Sequence, residues 1–207
     1  FIVPTGCELH SASVRVESCW SSASFWFVLA ASKGNITITG LNPSSKQPDR
    51  AIIEILQSCG AEFDLVNNTY RFDSPADKLI PFNFDANDCP DLIPNLVILA
   101  AMCNGESIIS GANRLENKES NRADAIMNEF TKIGINIERF GDKFIVRRSD
   151  IIPAEVKSYS DHRITMALEL AAAIAEVNII IDSSQNVSKS YPEFYRHLSN
   201  YKQSLSK

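Results

Sequence analysis

The sequence predicts an α/β fold in which one βαβαββ unit is used three times, with buried central helices and sheets outside them. Three observations predict it. The residues that follow the predicted strands recur at a constant spacing: Gly40, Gly111 and Asp182 are 71 residues apart. The order of apolar helix, short β-branched strand and amphipathic helix repeats along the chain. The first helix of each copy is apolar on most faces, which is typical of a buried helix.

The first unit covers about residues 8–75 and has local signals for its helices and turns. The segment 52–56 has apolar residues at i, i+3 and i+4 spacing, and Gly60 fits the glycine that follows a helix C-terminus. Asn67-Asn68 predicts a hairpin turn. The predicted strands are one at 13–17, before the apolar helix, and one at 36–39, after it.

The second and third units cover about residues 76–150 and 151–207. In the second unit Gly134, which comes 74 residues after Gly60, ends an amphipathic helix, and Gly141-Asp142 predicts a hairpin turn. The remaining predicted elements are a strand at 107–109, a helix at 126–133, an apolar helix at 164–175, a strand at 178–181 and a helix after Pro192.

The third unit is shorter than the other two. It ends after its second helix, without a closing strand pair, and a sheet that lacks strands has an open edge. The chain also starts at Phe1 rather than at Met. We therefore expect residues 1–207 to form a single domain of a longer polypeptide.

The composition limits the function classes. The formal net charge of −5 argues against a nucleic-acid-binding protein, which usually has a basic surface. The five cysteines are odd in number and contain no CxxC pair, so neither a disulfide framework nor a zinc site is expected. The apolar runs are too short to span a bilayer and no signal peptide is visible, so we expect a cytoplasmic protein without a membrane partner.

Charged residues gather at or before the predicted helix starts. Helix N-termini favour anions, because their free N–H groups and the helix dipole point outward. In a three-fold domain these helix starts converge at one end. The charged residues there would form a cationic pocket with two carboxylates, which suits proton transfer on an anionic substrate. The converging residues are Asp91, Lys118, Glu119, Arg122, Arg163 and Lys189.

Each of these features also has a structural interpretation. A solvated helix start would explain 117–122, and a cation at Arg163 is harder to explain because it opposes the helix dipole. Helix capping would explain Asp91 and either Asp161 or Ser160, a structural hydrogen bond would explain His162, and solvation at the surface would explain Lys189. The functional interpretation therefore depends on convergence.

Four motifs, in order, resemble those of the EPSP synthase family of enolpyruvyl transferases. They are VESCWSSASF at 16–25, KESNR at 118–122, SDHRITMA at 160–167 and VSKSYPEF at 187–194. Pro90-Asp91 also matches the Pro-Asp before that family's central helix. The match is closer than to the related UDP-N-acetylglucosamine enolpyruvyl transferase. The resemblance covers nearly the whole chain. It implies that residues 1–207 are one of the two inverse α/β domains of this fold, the C-terminal one, and that the N-terminal domain is absent from this sequence.

The resemblance implies that the enolpyruvyl group of phosphoenolpyruvate is transferred to the 5-hydroxyl of shikimate 3-phosphate, with release of phosphate and without a metal or other cofactor. Asp91 would accept a proton, and Glu119 would handle the proton at the methylene carbon. The implied substrate-binding residues are Lys118 for shikimate, Arg122 and Arg163 for the phosphoenolpyruvate carboxylate, and Lys189 for its phosphate, with Asp161 and His162 in the adjacent motif. The full-length protein would be a monomer, and this half alone would be inactive.

Two residues depart from the family pattern. Cys19 and Asn121 stand where the family usually has Asp, and each change removes a carboxylate near a cationic site. The positions that would contact substrate are unchanged. Two further interpretations therefore stay open: a non-catalytic relative that retains the fold, and a related transferase that uses another hydroxyl acceptor.

Overall fold

The computed structural model describes residues 5, 6, 8, 10–76 and 78–204, so Cys7 lies outside the described residues. The helices are α1 (Trp20–Lys33), α2 (Ile52–Ser58), α3 (Ile93–Met102), α4 (Arg122–Ala125), which continues as a π-helix (Ile126–Phe130), α5 (His162–Ala175) and α6 (Phe194–Ser204). The strands are β1 (Ile36–Ile38), β2 (Asp64–Val66), β3 (Thr69–Phe72), β4 (Asn83–Asp85), β5 (Glu106–Ser110), β6 (Asn136–Phe140), β7 (Lys143–Arg147), β8 (Ala154–Val156) and β9 (Ile179–Ile181).

Three apolar helices form the centre of the fold, as the sequence predicts. Helices α1, α3 and α5 each contact the other two. The residues of α3 from Ile93 to Ala101 are all buried, so this helix has no solvent face over that length. A polar contact joins α3 to α1, where Asn95 Nδ2 donates to Ser24 Oγ over 2.7 Å. Full burial of one large aliphatic side chain contributes about 1.5–3 kcal/mol, so this centre is a major source of stability.

Each unit contributes one small sheet around this centre. The strand orders are β1-β3-β2, β4-β5-β7-β6 and β8-β9. The β4–β5 and β8–β9 pairs are parallel, and the crossovers between them contain α3 and α5, respectively. The hairpins β2–β3 and β6–β7 are antiparallel. The α/β class with buried central helices is thereby confirmed.

The local turn and cap predictions are also confirmed. Asn67 and Asn68 have φ angles of 49° and 57°, as a two-residue hairpin turn between β2 and β3 requires. Gly134 has a φ of +90° after the helix that begins as α4, and a Cβ at this position would lie 2.6 Å from the Asp150 carbonyl oxygen. Glycine is therefore needed here both for its backbone conformation and for the close approach of the chain.

The predicted strand at 13–17 is wrong. This segment forms no strand, and Val14 and Val16 are 78% and 88% exposed. Among the described residues β1 pairs only with β3, whereas the equivalent β5 also has the parallel partner β4. Alternating Val and Arg gives the segment β propensity, but a strand also needs a paired neighbour and a covered face. The described part of the first unit therefore has the order αβαββ.

Candidate active site

Three loops that precede helices bring most of the predicted charged residues together. Asp91 lies in a 3-10 turn before α3, residues 118–120 form a bend before α4, and Asp161 is the N-cap of α5. Lys118 therefore lies in the bend and not on one helix with Arg122. Ion pairs and close contacts join seven residues, here called the Arg122 network: Asp91, Lys118, Glu119, Arg122, Asp161, His162 and Arg163.

Arg122 is the centre of this network. Its side chain is completely buried, and its guanidinium group donates to three carboxylates. Nε lies 2.9 Å from Asp161 Oδ2, Nη1 lies 2.9 Å from Asp91 Oδ1, and Nη2 lies 2.6 Å from Glu119 Oε2. Burial alone would lower the pKa of Arg122, but the surrounding carboxylates, first Asp161, raise it above its ordinary value. Arg122 therefore stays charged and fixes the loops relative to one another.

Asp161 is the buried carboxylate that faces Arg122. Its Oδ1 accepts from the backbone N–H of Arg163 over 2.9 Å and of Ile164 over 3.5 Å, so Asp161, and not the alternative Ser160, is the N-cap of α5. Its Oδ2 also accepts from Ser120 Oγ over 3.0 Å. Burial alone would raise the pKa of Asp161, but the hydrogen bond and charge of Arg122 outweigh it, so the pKa lies below its ordinary value. Asp161 is thus a charged, fully hydrogen-bonded positioning group.

Asp91 is the carboxylate that faces three cations. Its Oδ1 lies 2.9 Å from Arg122 Nη1 and 3.3 Å from Lys118 Nζ, and its Oδ2 lies 3.4 Å from Arg163 Nη2. Burial would raise the pKa of Asp91, but the charges of Arg163 and Arg122 lower it below its usual value. About a third of the side chain is exposed, so Asp91 is a charged acceptor that a ligand can reach.

Arg163 is the residue of the network that has a buried, unpaired hydrogen-bond donor. Its side chain is 8% exposed, and one guanidinium nitrogen, Nη1, is buried without a hydrogen-bond partner among the described residues. Leaving such a buried charged donor unpaired costs about 1–3 kcal/mol or more. An anion that accepts from Nη1 would remove this cost. The sequence places a cation at the first turn of α5, where it opposes the helix dipole, and in the structure this cation has a buried donor without a partner.

Glu119 and His162 meet at the edge of the network. His162 Nδ1 lies 3.9 Å from Glu119 Oε1, too far for a direct hydrogen bond. Burial and the nearby charge of Arg163 lower the pKa of His162, so its imidazole is neutral at pH 7. Glu119 keeps 47% of its side chain exposed while it pairs with Arg122. It is therefore a carboxylate with access to solvent and to a bound molecule.

Lys189 is the predicted residue that the structure does not join to this network. It ends the short 3-10 helix Gln185–Lys189, which packs against α5, and its side chain is exposed. Within residues 10–76 and 78–204 its ammonium group has no ion pair. The predicted cationic pocket with two carboxylates therefore has a different charge balance: the network contains three cations, Lys118, Arg122 and Arg163, and three carboxylates, Asp91, Glu119 and Asp161.

Asp49, a further carboxylate beside the network, is not among the residues predicted from the sequence. This carboxyl group is buried, and its Oδ2 has no hydrogen-bond partner in the described part of the chain. Burial raises the pKa of Asp49, against a hydrogen bond from Ser21 and the charge of Arg163. The repeat register contains a signal for this position, because Asp49 precedes Asn121 by 72 residues and each is followed by an arginine.

Comparison with known proteins identifies the family. The model of the EPSP synthase (3-phosphoshikimate 1-carboxyvinyltransferase) family matches residues 1–198. The chain belongs to this family. A 3-phosphoshikimate 1-carboxyvinyltransferase of Clostridium acetobutylicum is 35% identical over 199 residues, which are 96% of this chain and 46% of that protein. One from Methanosarcina acetivorans is 35% identical over 206 residues, which are 97% of this chain and 47% of that protein.

Solved structures of EPSP synthase and of a further enolpyruvyl transferase have the same fold. EPSP synthase from Acinetobacter baumannii superposes with a TM-score of 0.78 at 26% identity, over 95% of this chain and 48% of that one. The enolpyruvyl transferase NikO from Streptomyces tendae has a TM-score of 0.61 at 14% identity, over 90% and 43% of the two chains, which shows the fold alone. The chain thus spans about half the length of the EPSP synthases it matches and forms one half of the enolpyruvyl transferase fold.

The two departures from the EPSP synthase pattern have different structural consequences. Asn121 is the N-cap of α4, where its Oδ1 accepts from the Asp124 N–H over 3.3 Å, so it keeps the function of an aspartate cap. Cys19 precedes α1 without a side-chain capping bond, in contrast to Asp161 at the start of α5. Cys19 is exposed, whereas the other described cysteines, Cys59, Cys89 and Cys103, are buried.

Neither a membrane span nor a metal-binding cluster is found in the part of the chain that the structure describes. No helix there has the length and apolar character needed to cross a bilayer. The same residues contain no group of three or more His, Cys, Asp and Glu side chains that could hold a metal ion.

Proposed function

We propose that this chain is the phosphoenolpyruvate-binding and acid/base half of a 3-phosphoshikimate 1-carboxyvinyltransferase. The whole enzyme would transfer the enolpyruvyl group of phosphoenolpyruvate to the 5-hydroxyl of shikimate 3-phosphate and release phosphate. Membership in the EPSP synthase family supports the reaction class. The observation that carries the proposal for this half is the buried, unpartnered Nη1 of Arg163 beside the two partly exposed carboxylates Asp91 and Glu119.

Arg163 is the first contact for the phosphoenolpyruvate carboxylate in this proposal. A guanidinium group matches a carboxylate well, and the buried Nη1 gains a bond that it lacks in the free chain. Arg122 has a less direct role than Arg163, because its donors are already bonded to carboxylates. It would reach the substrate only by exchanging its bond to Asp91 or Glu119. Lys118, 3.3 Å from Asp91, would contact the acceptor substrate, and Lys189 would approach the phosphate after movement of its segment.

The proposal assigns the proton transfers to the two partly exposed carboxyl groups, Asp91 and Glu119. A proton is added to the methylene carbon of phosphoenolpyruvate while the 5-hydroxyl oxygen attacks the adjacent carbon and loses its own proton to Asp91. The tetrahedral intermediate then loses phosphate and one proton from the new methyl group, which restores the double bond. Glu119 would deliver and remove the proton at that carbon. His162 is neutral and lies 3.9 Å from Glu119, so it would leave the charge of Glu119 unchanged.

Charge explains how Asp91 could become a base. In the free chain the cations around Asp91 lower its pKa, so it holds a proton poorly. Two anionic substrates would share these cations, which weakens their effect on Asp91 and raises its basicity. The fixed cations would also stabilise the negative charge of the intermediate. Asp161 and Arg122 would keep the geometry during this change, because both are buried and bonded to each other.

The remaining predictions stay part of this proposal. A second domain, of the length by which the relatives exceed this match, would supply most shikimate 3-phosphate contacts. The full-length protein would be monomeric and cytoplasmic, without nucleic-acid partners. Cys19 is exposed and makes no capping bond to α1, and a carboxylate that is usual in the family is missing at this position. These observations support a non-catalytic relative as a second candidate. A transferase with another hydroxyl acceptor is a third candidate, because acceptor contacts would lie mainly in the other domain.

A phosphate-release assay tests the proposal. The chain is mixed with phosphoenolpyruvate and shikimate 3-phosphate, alone and together with a separately produced N-terminal half, and the full-length parent is measured in parallel. We expect release by the parent and by the mixed halves that requires both substrates, and none by this chain alone. Turnover by the chain alone would contradict the split site. An inactive parent would support a non-catalytic relative, and release with a different hydroxyl compound only would support the transferase with another acceptor.

A further inference from the structure

A buried carboxylate outside the network connects the helix that begins at Arg122 to the segment before α5. Glu129 lies in the π-helix that continues α4, the helix that Arg122 begins, and its side chain is 1% exposed. Its Oε2 accepts from the backbone N–H of Lys157 over 2.9 Å and from Lys132 Nζ over 2.8 Å. Its Oε1 accepts from Tyr159 Oη over 3.0 Å. Glu129 thus joins the helix of Arg122 to the segment that leads into α5.

The segment held by Glu129 has an unfavourable backbone conformation. Tyr159 and Ser160 have φ angles of 53° and 54°, and two consecutive non-glycine residues in the left-handed region need support from their surroundings. The next three residues are Asp161, His162 and Arg163 of the network. A relaxed backbone at Tyr159 and Ser160 would change the direction in which these three side chains leave the chain.

Two further contacts hold the same segment. Asp182 Oδ1, just after β9, accepts from the Ser158 N–H over 2.8 Å, and the Asp161 N–H donates to the Ser158 carbonyl over 2.9 Å. Glu129 supplies the contacts from the α4 side. A π-helix places one extra residue in a turn and is frequent at functional sites, and here that widened turn contains Glu129.

We propose that Glu129 is a positioning residue that holds the segment 157–160, which contains the strained Tyr159 and Ser160. With this segment in place, Arg163 keeps its unpaired Nη1 directed toward the phosphoenolpyruvate carboxylate. This inference rests on the function proposed above. Glu129 does not touch substrate. It acts through Lys157 and Tyr159, and its charge is maintained because the hydrogen bonds from Lys132 and its other donors outweigh the effect of burial and lower the pKa of Glu129.

Glu129→Gln and Tyr159→Phe are the informative variants. Glu129→Gln replaces one carboxylate oxygen, which accepts, by an amide NH2 group, which donates. Both oxygens of Glu129 accept from protein donors, so the NH2 group faces a donor in either orientation of the amide. Tyr159→Phe removes a single bond and serves if Glu129→Gln does not fold. Glu155→Gln, an exposed carboxylate on β8, is the matched control. All variants are made in the full-length parent, and KM for each substrate, kcat and Tm are measured.

We expect KM for phosphoenolpyruvate to rise about ten-fold to a hundred-fold in Glu129→Gln, as for a misdirected binding group, while KM for shikimate 3-phosphate stays within about two-fold. Tyr159→Phe should show a smaller rise, and the double variant should fall short of the product of the two effects, because both act through one contact. A lower Tm with both KM values unchanged would show a merely structural role and overturn the inference. An inactive wild-type parent would instead overturn the proposed function.

Discussion

Replacing Arg122 by Met should destabilise the chain more than any change to an exposed arginine. Methionine fills much of the same space, so the loss reports mainly on charge. Arg122 donates four hydrogen bonds to three carboxylates. Asp91 and Glu119 are 34% and 47% exposed, so water can replace their bonds, but Asp161 is fully buried. Leaving one buried charge without its partner costs about 3–5 kcal/mol. For a chain of 207 residues this corresponds to a Tm decrease of about 6–20 °C.

The loss should depend on pH with a definite sign. Although burial acts in the opposite direction, Arg122 keeps the pKa of Asp161 below its unfolded value. The stability that this pairing contributes is present above the unfolded aspartate pKa of about 3.9 and disappears as pH falls through the folded pKa. In Arg122→Met the largest contribution that opposes burial is lost, so Asp161 binds a proton more easily. The difference between wild type and variant should therefore be largest near pH 7 and decrease toward pH 4.

Urea denaturation of both proteins at pH 7 and near pH 4 measures this effect. The matched control is Arg50→Ala, because Arg50 precedes Arg122 by 72 residues and makes a partly exposed i,i+4 ion pair with Glu54. Such a pair contributes less than about 1 kcal/mol. A loss below about 1 kcal/mol in Arg122→Met, or an equal loss at both pH values, would refute the reasoning that Asp161 is a buried charge dependent on Arg122.

Three further predictions concern single residues. Cys19 should be the first of the described cysteines to react with iodoacetamide, as read by mass spectrometry, because it is exposed and its pKa lies below the ordinary value, where the polar neighbour Ser22 and the charge of Arg163 outweigh partial burial; reaction first at a buried cysteine would contradict this. Asn121→Ala should cost about 1 kcal/mol in denaturation experiments, because it removes the cap of α4. Asn121→Asp should also destabilise the chain, because it keeps the cap but replaces the 2.6 Å hydrogen bond from Asn121 Nδ2 to Asp124 Oδ2 by repulsion between two carboxylates. Gly134→Ala should lower the free energy of unfolding by about 1–3 kcal/mol, because of its positive φ and the close Asp150 carbonyl; an unchanged unfolding midpoint would argue against the close approach.

Elements with local signals could be predicted from the sequence. Gly60 and Gly134 end helices, and Asn67-Asn68 makes a hairpin turn, because each depends on the conformational preference of one or two residues. The segment 13–17 has comparable local propensity, yet it forms no strand because pairing depends on distant residues. The repeat register predicted the order of elements and could not predict which strands find partners.

The candidate site also has features that the sequence predicts and features that depend on distant residues. The helix starts and their charged residues were predictable, because the register aligns Asp91 with Asp161. The bonds within the network were not, because Arg122 reaches Asp161 across 39 residues of sequence and side-chain torsions decide its partners. The role of Asp161 as a third carboxylate, the unjoined Lys189 and the buried Asp49 all arise from this packing. The support from Glu129 depends on a π-helix, which has no simple signal in the sequence.

The affinity of the full-length parent for phosphoenolpyruvate tests the proposed binding role of Arg163, and calorimetric titration of wild type, Arg163→Lys and Arg148→Lys measures it. Arg148 is an exposed arginine outside the network that donates to the Met102 carbonyl, so it is the matched control. Lysine cannot replace the open Nη1 of Arg163, and a lost bond to a charged group of about 1.5–3 kcal/mol predicts roughly ten-fold to a hundred-fold weaker binding. Arg148→Lys should bind as wild type does. Equal affinity of wild type and Arg163→Lys would contradict the central claim that Arg163 is where this half of the enzyme binds its anionic substrate.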